Sequence, residues 1–229
     1  MKAMILAAGR GERMRPLTDT TPKPLLPVSG QPLIAHLIHH LVREGYTDLV
    51  VNLAYMGDRI EKALGDGKAF GASIRYSRES PDALDTGGGI LNALPVLDTD
   101  PFLVVNGDVW TDYPFSRLSG KPPGLAHLVL VPNPMHHTAG DFGLLHPETT
   151  ARVSNHEGER LTFSGVGVYR AALFADCKPG NFPLGPLLRR AADGGHVTGE
   201  RYSGVWQDIG TPERLAQLRS VHKPESQGI

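Results

Sequence analysis

Two groups of residues in this chain could do chemistry together. The first is the stretch Leu6-Ala7-Ala8-Gly9-Arg10-Gly11-Glu12-Arg13-Met14-Arg15-Pro16-Leu17-Thr18, followed shortly by Thr21-Pro22-Lys23-Pro24. Small residues at Ala7, Ala8, Gly9 and Gly11 let backbone N–H groups come close to an anion. Residues 1–24 carry five basic side chains (Lys2, Arg10, Arg13, Arg15, Lys23) against two acids (Glu12, Asp19), a balance of +3. The other residues carry 18 against 22, or −4. Positive charge concentrated beside glycines suits a small polyphosphate. A P-loop is excluded, because no Gly-Lys-Ser/Thr occurs, and Met14 stands where a dinucleotide fingerprint needs its third glycine. The second group is a pair of carboxylates, Asp108 and Asp208. Each closes a strand-like run and would serve in isolation as an ordinary turn or cap. Beside an anion-binding loop, they suit a Mg²⁺ ion, which takes one or two carboxylates and completes its shell with water and phosphate oxygens.

These groups need a scaffold, and the first half of the chain supplies one in alternation. Ala3 to Ala7 is a short apolar run of the kind found in buried parallel strands. Leu33, Ile34, Leu37, Ile38, Leu41 and Val42 fall at helical spacing between Pro32 and Glu44, and Gly45 stops the helix. Leu49–Leu53, Ser73–Tyr76 and Phe102–Val105 read as further strands. Ile60–Leu64 lies in a short helix, and a glycine-rich helix runs from Thr86 to Leu94. This alternation predicts an α/β fold with a doubly wound, mostly parallel, Rossmann-like sheet flanked by helices. In such a sheet the loop after the first strand opens onto the ligand crevice. In the second half, Leu125–Val131 and Thr162–Tyr169 read as strands and Leu187–Ala192 as a helix, followed by strand-like Val205-Trp206-Gln207. A last helix begins with Thr211 as cap and Pro212 in first position, with Leu215 and Leu218 facing inward. With no repeat and no long linker, residues 1–229 are expected to form one domain. Its nucleotide-binding half covers about 1–110, its sugar-binding half about 111–222, and 223–229 a frayed tail.

The glycine-rich basic stretch resembles the signature of the sugar-1-phosphate nucleotidylyltransferases, which runs small-small-Gly-x-Gly-x-Arg-x-x-Pro-Leu-Thr and then Pro-Lys. The likeness extends through Asn106-Gly107-Asp108-Val109-Trp110 and Trp206-Gln207-Asp208-Ile209-Gly210-Thr211. It implies a glycosyltransferase-A-like nucleotidyltransferase fold and an enzyme that joins a nucleoside triphosphate to a sugar 1-phosphate. Its short cell-wall-recycling branch is the best match, implying UTP and N-acetylmuramate 1-phosphate as substrates. Mannose-1-phosphate guanylyltransferases and glucose-1-phosphate thymidylyltransferases share the same core and stay open. So does a non-catalytic nucleotide-sugar sensor, although a sensor has no need of the whole catalytic set.

The resemblance assigns catalysis to Arg13, Lys23, Asp108 and Asp208, with Mg²⁺ on Asp108 and Asp208. Asp85 and Asp112 are possible outer-shell groups, and charge location alone admits Arg10 and Arg15 as helpers. The nucleotide is expected on Ala8, Gly9, Gly11, Arg13 and Lys23, with its base against Thr86, Gly87 and Gly88. The sugar is expected near Asn106, Trp110, Asp141, Gly143, Ser164 and Gly165. Many relatives place a Glu-Lys-Pro between those last segments; here Val153–Arg160 has no such lysine, and Arg152, Arg160 or Arg201 could substitute.

Composition limits the alternatives. A net charge of −1 disfavours a nucleic-acid or membrane-surface partner. The single cysteine, Cys177, rules out an internal disulfide and a thiolate zinc site. No apolar run approaches 18 residues, and Met1–Leu6 is too short for a signal peptide, so the cytoplasm is the default compartment. Of the ten histidines, His36 borders the apolar stripe of its helix, while His39 and His40 are expected to face solvent and bind no metal.

Overall fold

The computed structural model describes residues 1–79, 83–120, 124–146 and 151–222; the expected frayed tail, 223–229, lies outside them. Elements follow one another as β1 (Ala3–Leu6), a hairpin of β2 (Pro27–Val28) and β3 (Gln31–Pro32), α1 (Leu33–Arg43), β4 (Asp48–Leu53) and α2 (Gly57–Leu64). Then come β5 (Ser73–Arg78), α3 (Asp85–Leu97), β6 (Phe102–Asn106), β7 (Val109–Thr111), β8 (Ala126–Val131) and β9 (Phe142–Leu144). The remainder is β10 (Ala151–Ser154), β11 (Glu159–Tyr169), α4 (Leu184–Asp193), β12 (Val197–Arg201), β13 (Trp206–Asp208) and α5 (Pro212–Val221).

Nine strands form one sheet in the order β5-β4-β1-β6-β11-β8-β12-β10-β9. The first four are mutually parallel, with Ile5 opposite Val51 on one side and Val105 on the other. Beyond β6 the sheet is mixed: β11 runs antiparallel to β6 and β8, and β12 is parallel to β8. Helical crossovers build the parallel half, whereas in the second half β8 to β11 follow one another with no α-helix among the described residues and α4 links β11 to β12.

Side-chain alternation along β1 explains the layers. Ala3 and Ile5 join Ile34, Leu37, Ile38 and Leu41 of α1 on one face. Met4 joins Ile90, Ala93 and Leu97 of α3 and Leu187, Leu188 and Ala191 of α4 on the other. With helices on both faces, the central strands are mostly apolar, with Asn52 in β4 and Asn106 at the end of β6 as polar exceptions. A third cluster packs Met14 of the basic loop with Leu26, Val28 and Leu33 against Ile209, Leu215 and Leu218. It ties the beginning of the chain to α5.

His36 borders the apolar stripe of α1 as expected, whereas His39 and His40 depart from the expectation of solvent-facing positions. His39 and His40 are half-buried, edge-on to Phe70 (5.3 Å) and Phe115 (4.8 Å), while His36 sits 5.0 Å from Trp110. Their rings extend the apolar stripe of the helix. Among the described residues, no helix is long and apolar enough to cross a membrane.

Candidate active site

The basic loop leaves β1 and folds into three short 3-10 turns, Glu12–Met14, Leu17–Asp19 and Lys23–Leu25. Gly11 is the residue that only glycine suits. Its φ is +65°, and an added Cβ would lie 3.0 Å from the Thr18 methyl and 3.2 Å from Lys23 Cβ. Its carbonyl accepts from Met14 N (2.8 Å) and from the buried Thr18 Oγ1 (2.9 Å), which folds the loop back over Lys23. At Gly9 the situation is reversed: an added Cβ would meet no protein atom within 4 Å. That space opens into a cleft of about 430 Å³ lined by Ala8, Gly9, Gly11, Arg13, Lys23, Thr86, Asn106 and Asp108.

The loop's cations separate by position. Arg13 lines the cleft. Arg10 lies over the Tyr55 ring, 5.2 Å from its centroid, and Arg15 pairs with Asp19 at 3.2 Å. Neither Arg10 nor Arg15 lines the cleft. Lys23, mostly buried, makes an ion pair with Asp108.

Asp108 follows β6, and Gly107 lets the chain cross the end of β1 there. Its amide donates to Leu6 O at 2.9 Å, and a Cβ would stand 2.6 Å from that oxygen. Asp208 arrives through a two-stranded ribbon in which β13 runs antiparallel to β7 and Asp208 faces Val109. Ile209 N closes the ribbon on Asp108 O at 2.8 Å. The two aspartates, 100 residues apart in sequence, are therefore brought onto adjacent backbone segments. Asp208 is held by Arg214 of α5 and by His136 Nε2 at 3.2 Å. Among the described residues, no group of three or more His, Cys, Asp or Glu is placed to hold a metal ion. Two hard carboxylate donors match a divalent cation that completes its shell with water and substrate oxygens.

The far wall of the cleft has a different character. Ala83, Asp85 and Thr86 line it together with Asn52 and Glu79. Asn52 accepts from Ala7 N (2.6 Å) and donates to Glu79 Oε1 (2.6 Å), while Glu79 Oε2 accepts from Leu84 N (2.7 Å). This buried chain fixes the cleft floor to its wall. Sequence reading passed over both residues, because a lone Asn inside an apolar strand carries no chemical signature.

Several expected contacts are placed elsewhere. Gly87 and Gly88 are buried, and both amides donate to Phe182 O (3.0 and 3.1 Å), so neither N–H faces a base. Their missing side chains make room for the 180–182 loop: a Cβ would come within 2.5 Å of the Phe182 ring at Gly87 and 2.1 Å of Gly180 O at Gly88. Trp110 does not line the cleft; it lies between His36 and His222 and borders a separate hollow. Asp112 borders that hollow as well and accepts from Tyr202 OH, whose pKa is pushed up to about 12 by burial and by that carboxylate.

On the sugar side, Asp141 is a staple, accepting from Phe163 N (2.8 Å) and meeting His137 Nε2 (3.1 Å). Gly143 is a point of close backbone approach, where a Cβ would fall 1.8 Å from Glu157 O. The buried Ser164 hydroxyl bonds Val129 O (2.7 Å) inside the irregularity of β11 between Phe163 and Val166. Gly165 does not line the cleft itself: at φ +78°, its open Cα lies against Asn106, which does. Arg160 is occupied with Asn155 O and Gly140 O, and Arg201 with Glu159. None of Arg152, Arg160 and Arg201 lines the cleft. The cation nearest the second aspartate is Arg214, which sequence reading missed although it follows the Thr211 cap by three residues.

A crevice at the carboxyl ends of parallel strands, lined by a glycine-rich cationic loop and by Asp108, with Asp208 outside the lining on the adjoining ribbon, defines a phosphate-handling α/β protein. The chain belongs to the nucleotidyl transferase family, whose model matches residues 2–157. It is 50% identical over 96% of its length, and 98% of the relative's, to N-acetylmuramate alpha-1-phosphate uridylyltransferase of Neisseria meningitidis. Identity is 34% to the Caulobacter vibrioides protein of the same name, over 92% of each chain. The inositol-1-phosphate CTP transferase from T. maritima superposes with a TM-score of 0.76 at 20% identity, covering 100% of this chain and 98% of that one, a likeness of fold alone. Members of this family use a divalent metal with a nucleotide and a sugar 1-phosphate.

Proposed function

We propose that this chain transfers a uridylyl group from UTP to N-acetylmuramate 1-phosphate with Mg²⁺, giving UDP-N-acetylmuramate and pyrophosphate in cell-wall sugar recycling. The observation that carries this reading is one cleft lined jointly by the open Gly9 backbone, Arg13, Lys23 and Asp108, with Asp208 fixed beside it by the β7–β13 ribbon. The choice of sugar and base rests on the two uridylyltransferase relatives that span nearly the whole chain. A single unit is proposed, with its nucleotide half at about 1–110 and its sugar half at 111–222. Consumption of a nucleoside triphosphate puts its work in the cytoplasm.

The chemistry needs little from side chains. An oxygen of the sugar phosphate forms a bond to the α-phosphorus, the α–β bridging bond breaks, and the electron pair leaves with pyrophosphate. That oxygen is already anionic, so no general base is required. The chain's task is to hold two anions in line and to spread charge at the reacting phosphorus. Arg13 and Lys23 neutralise the triphosphate, and the loop amides around Gly9 approach its oxygens. Asp108 and Asp208 would hold the Mg²⁺, which when bound supplies charge neutralisation to the α-phosphate and the leaving group. The cation-poor wall at Glu79, Asp85 and Thr86 repels phosphates, so it takes the nucleoside end. Asn106 and Gly165 lie where the sugar joins.

The test is a pyrophosphate-release matrix of UTP, dTTP, GTP and CTP against the 1-phosphates of N-acetylmuramate, N-acetylglucosamine, glucose and mannose. The expected maximum is UTP with N-acetylmuramate 1-phosphate, dependent on Mg²⁺. A different maximum overturns the substrate pair. Binding without turnover in every combination overturns the activity and leaves a sensor.

A further inference from the structure

The nucleoside wall of the cleft is not self-supporting. Residues 83–88 are held from behind by a four-residue stretch of the opposite half of the chain. Asn181 Nδ2 donates to Ala83 O (2.8 Å), and Phe182 N donates to Leu84 O (3.1 Å). Phe182 O accepts from Gly87 N and Gly88 N (3.0 and 3.1 Å), and Leu184 N donates to Thr86 Oγ1 (3.0 Å). Five hydrogen bonds thus join two short segments nearly 100 residues apart, and every bond ends on the wall or on the first turn of α3 behind it.

Two further observations show that the wall depends on this support. Asp85, which lines the cleft, has φ +58°, a left-handed backbone at a residue with a side chain. Such a conformation persists only where its surroundings over-determine it. Gly87 and Gly88 leave no room for a Cβ because the 180–182 stretch passes directly behind them. The fit is tight.

We infer that Asn181 and the backbone of Phe182 form a clamp that sets the position of the nucleoside wall, making Asn181 a positioning residue for nucleotide recognition. Asn181 does not line the cleft, so it acts through Ala83. The inference rests on the nucleotide reading above. It predicts a selective defect. Loosening the wall weakens the nucleoside end of UTP, whereas the phosphate end, held by Arg13 and Lys23, and the sugar phosphate keep their sites.

Asn181 is exposed, so its replacement does not threaten folding. Asn181→Asp keeps the shape but cannot donate to Ala83 O, and Asn181→Gln keeps the donor. In Asn181→Asp the KM for UTP should rise about fivefold, the worth of one neutral hydrogen bond at a factor of ten per 1.4 kcal/mol. The KM for N-acetylmuramate 1-phosphate and kcat should stay within twofold, and Asn181→Gln should recover most of the UTP affinity. Amide hydrogen exchange at 84–88 should quicken in Asn181→Asp without substrate present. An unchanged UTP KM, an equal rise in both KM values, or unchanged exchange at 84–88 each overturns the clamp. If the wild type fails to turn over UTP, the proposed function falls, and the exchange comparison still decides the clamp.

Discussion

Lys23→Met removes one ammonium group and keeps most of the hydrocarbon stem. Lys23 and Asp108 are 13% and 26% exposed, so their ion pair is partly desolvated. A hydrogen bond between charged groups in such a setting nets about 2 kcal/mol. The loss is smaller than for a fully buried pair because water reaches Asp108 once the ammonium is gone. For a chain of this size about 2 kcal/mol corresponds to a fall in Tm of roughly 4–8 °C. Activity should suffer more. Removing one preorganised donor from a developing anion costs about 10²–10³ in kcat. The assay pairs a thermal melt with pyrophosphate release under saturating UTP at a temperature well below the variant's melt. The expected outcome is a folded protein with at most about 1% of wild-type kcat. If the variant keeps more than a tenth of the wild-type rate, Lys23 does not stabilise the reacting phosphates. If activity disappears only in step with the folded fraction, its role is structural.

Three other substitutions and conditions separate packing from chemistry. Gly143→Ala places a methyl group against Glu157 O and should destabilise the chain by about 3 kcal/mol in denaturant titration, while activity per folded molecule stays the same. Asn52→Leu strands the buried Glu79 carboxylate and the Ala7 amide, and should cost about 2–4 kcal/mol together with a raised KM for UTP. His40 has its pKa lowered from 6.5 by burial, then by Arg43, against the raising influence of Glu44, Thr111 and Asp112. The unfolded chain therefore binds more protons in the window just below pH 6.5, so stability should fall as pH drops through that window. Tm followed over that range should show the decline, and His40→Gln should flatten it.

Much of this architecture is legible in the residues. The parallel half follows from apolar runs alternating with helical stripes, since strands covered on both faces have no polar side to disguise them. The cleft's glycine and cation edge is legible too, because Gly9, Gly11, Arg13 and Lys23, which line it, are close in sequence and their types are demanding. The second half resists for a physical reason. β12 reads Val-Thr-Gly-Glu-Arg and looks like a turn, yet its Glu200 is buried and accepts from Tyr113 OH at 2.7 Å. A polar residue satisfied by a partner 87 positions away leaves no local pattern. The same holds for Gly87 and Gly88. Their glycine character signals close approach, but only the structure tells which neighbour approaches, and it is Phe182 and Gly180. Trp110 shows the converse case: nearness to Asp108 in sequence suggested a shared site, yet its ring packs between His36 and His222, outside the cleft.

The ribbon that pairs β7 with β13 also bears on how the protein is made. Asp108 stands at the end of a parallel sheet whose strands are contiguous in the first half of the chain, so that half can begin to assemble while translation continues. Its carboxylate partner is joined only when Asp208 pairs beside Val109 and Ile209 closes on Asp108 O. Pairing across so long a loop is slow and comes late. A ribosome-bound chain displays the basic loop long before it carries both aspartates, so on the proposed assignment the site stays incomplete until β13 and α5 have emerged and docked.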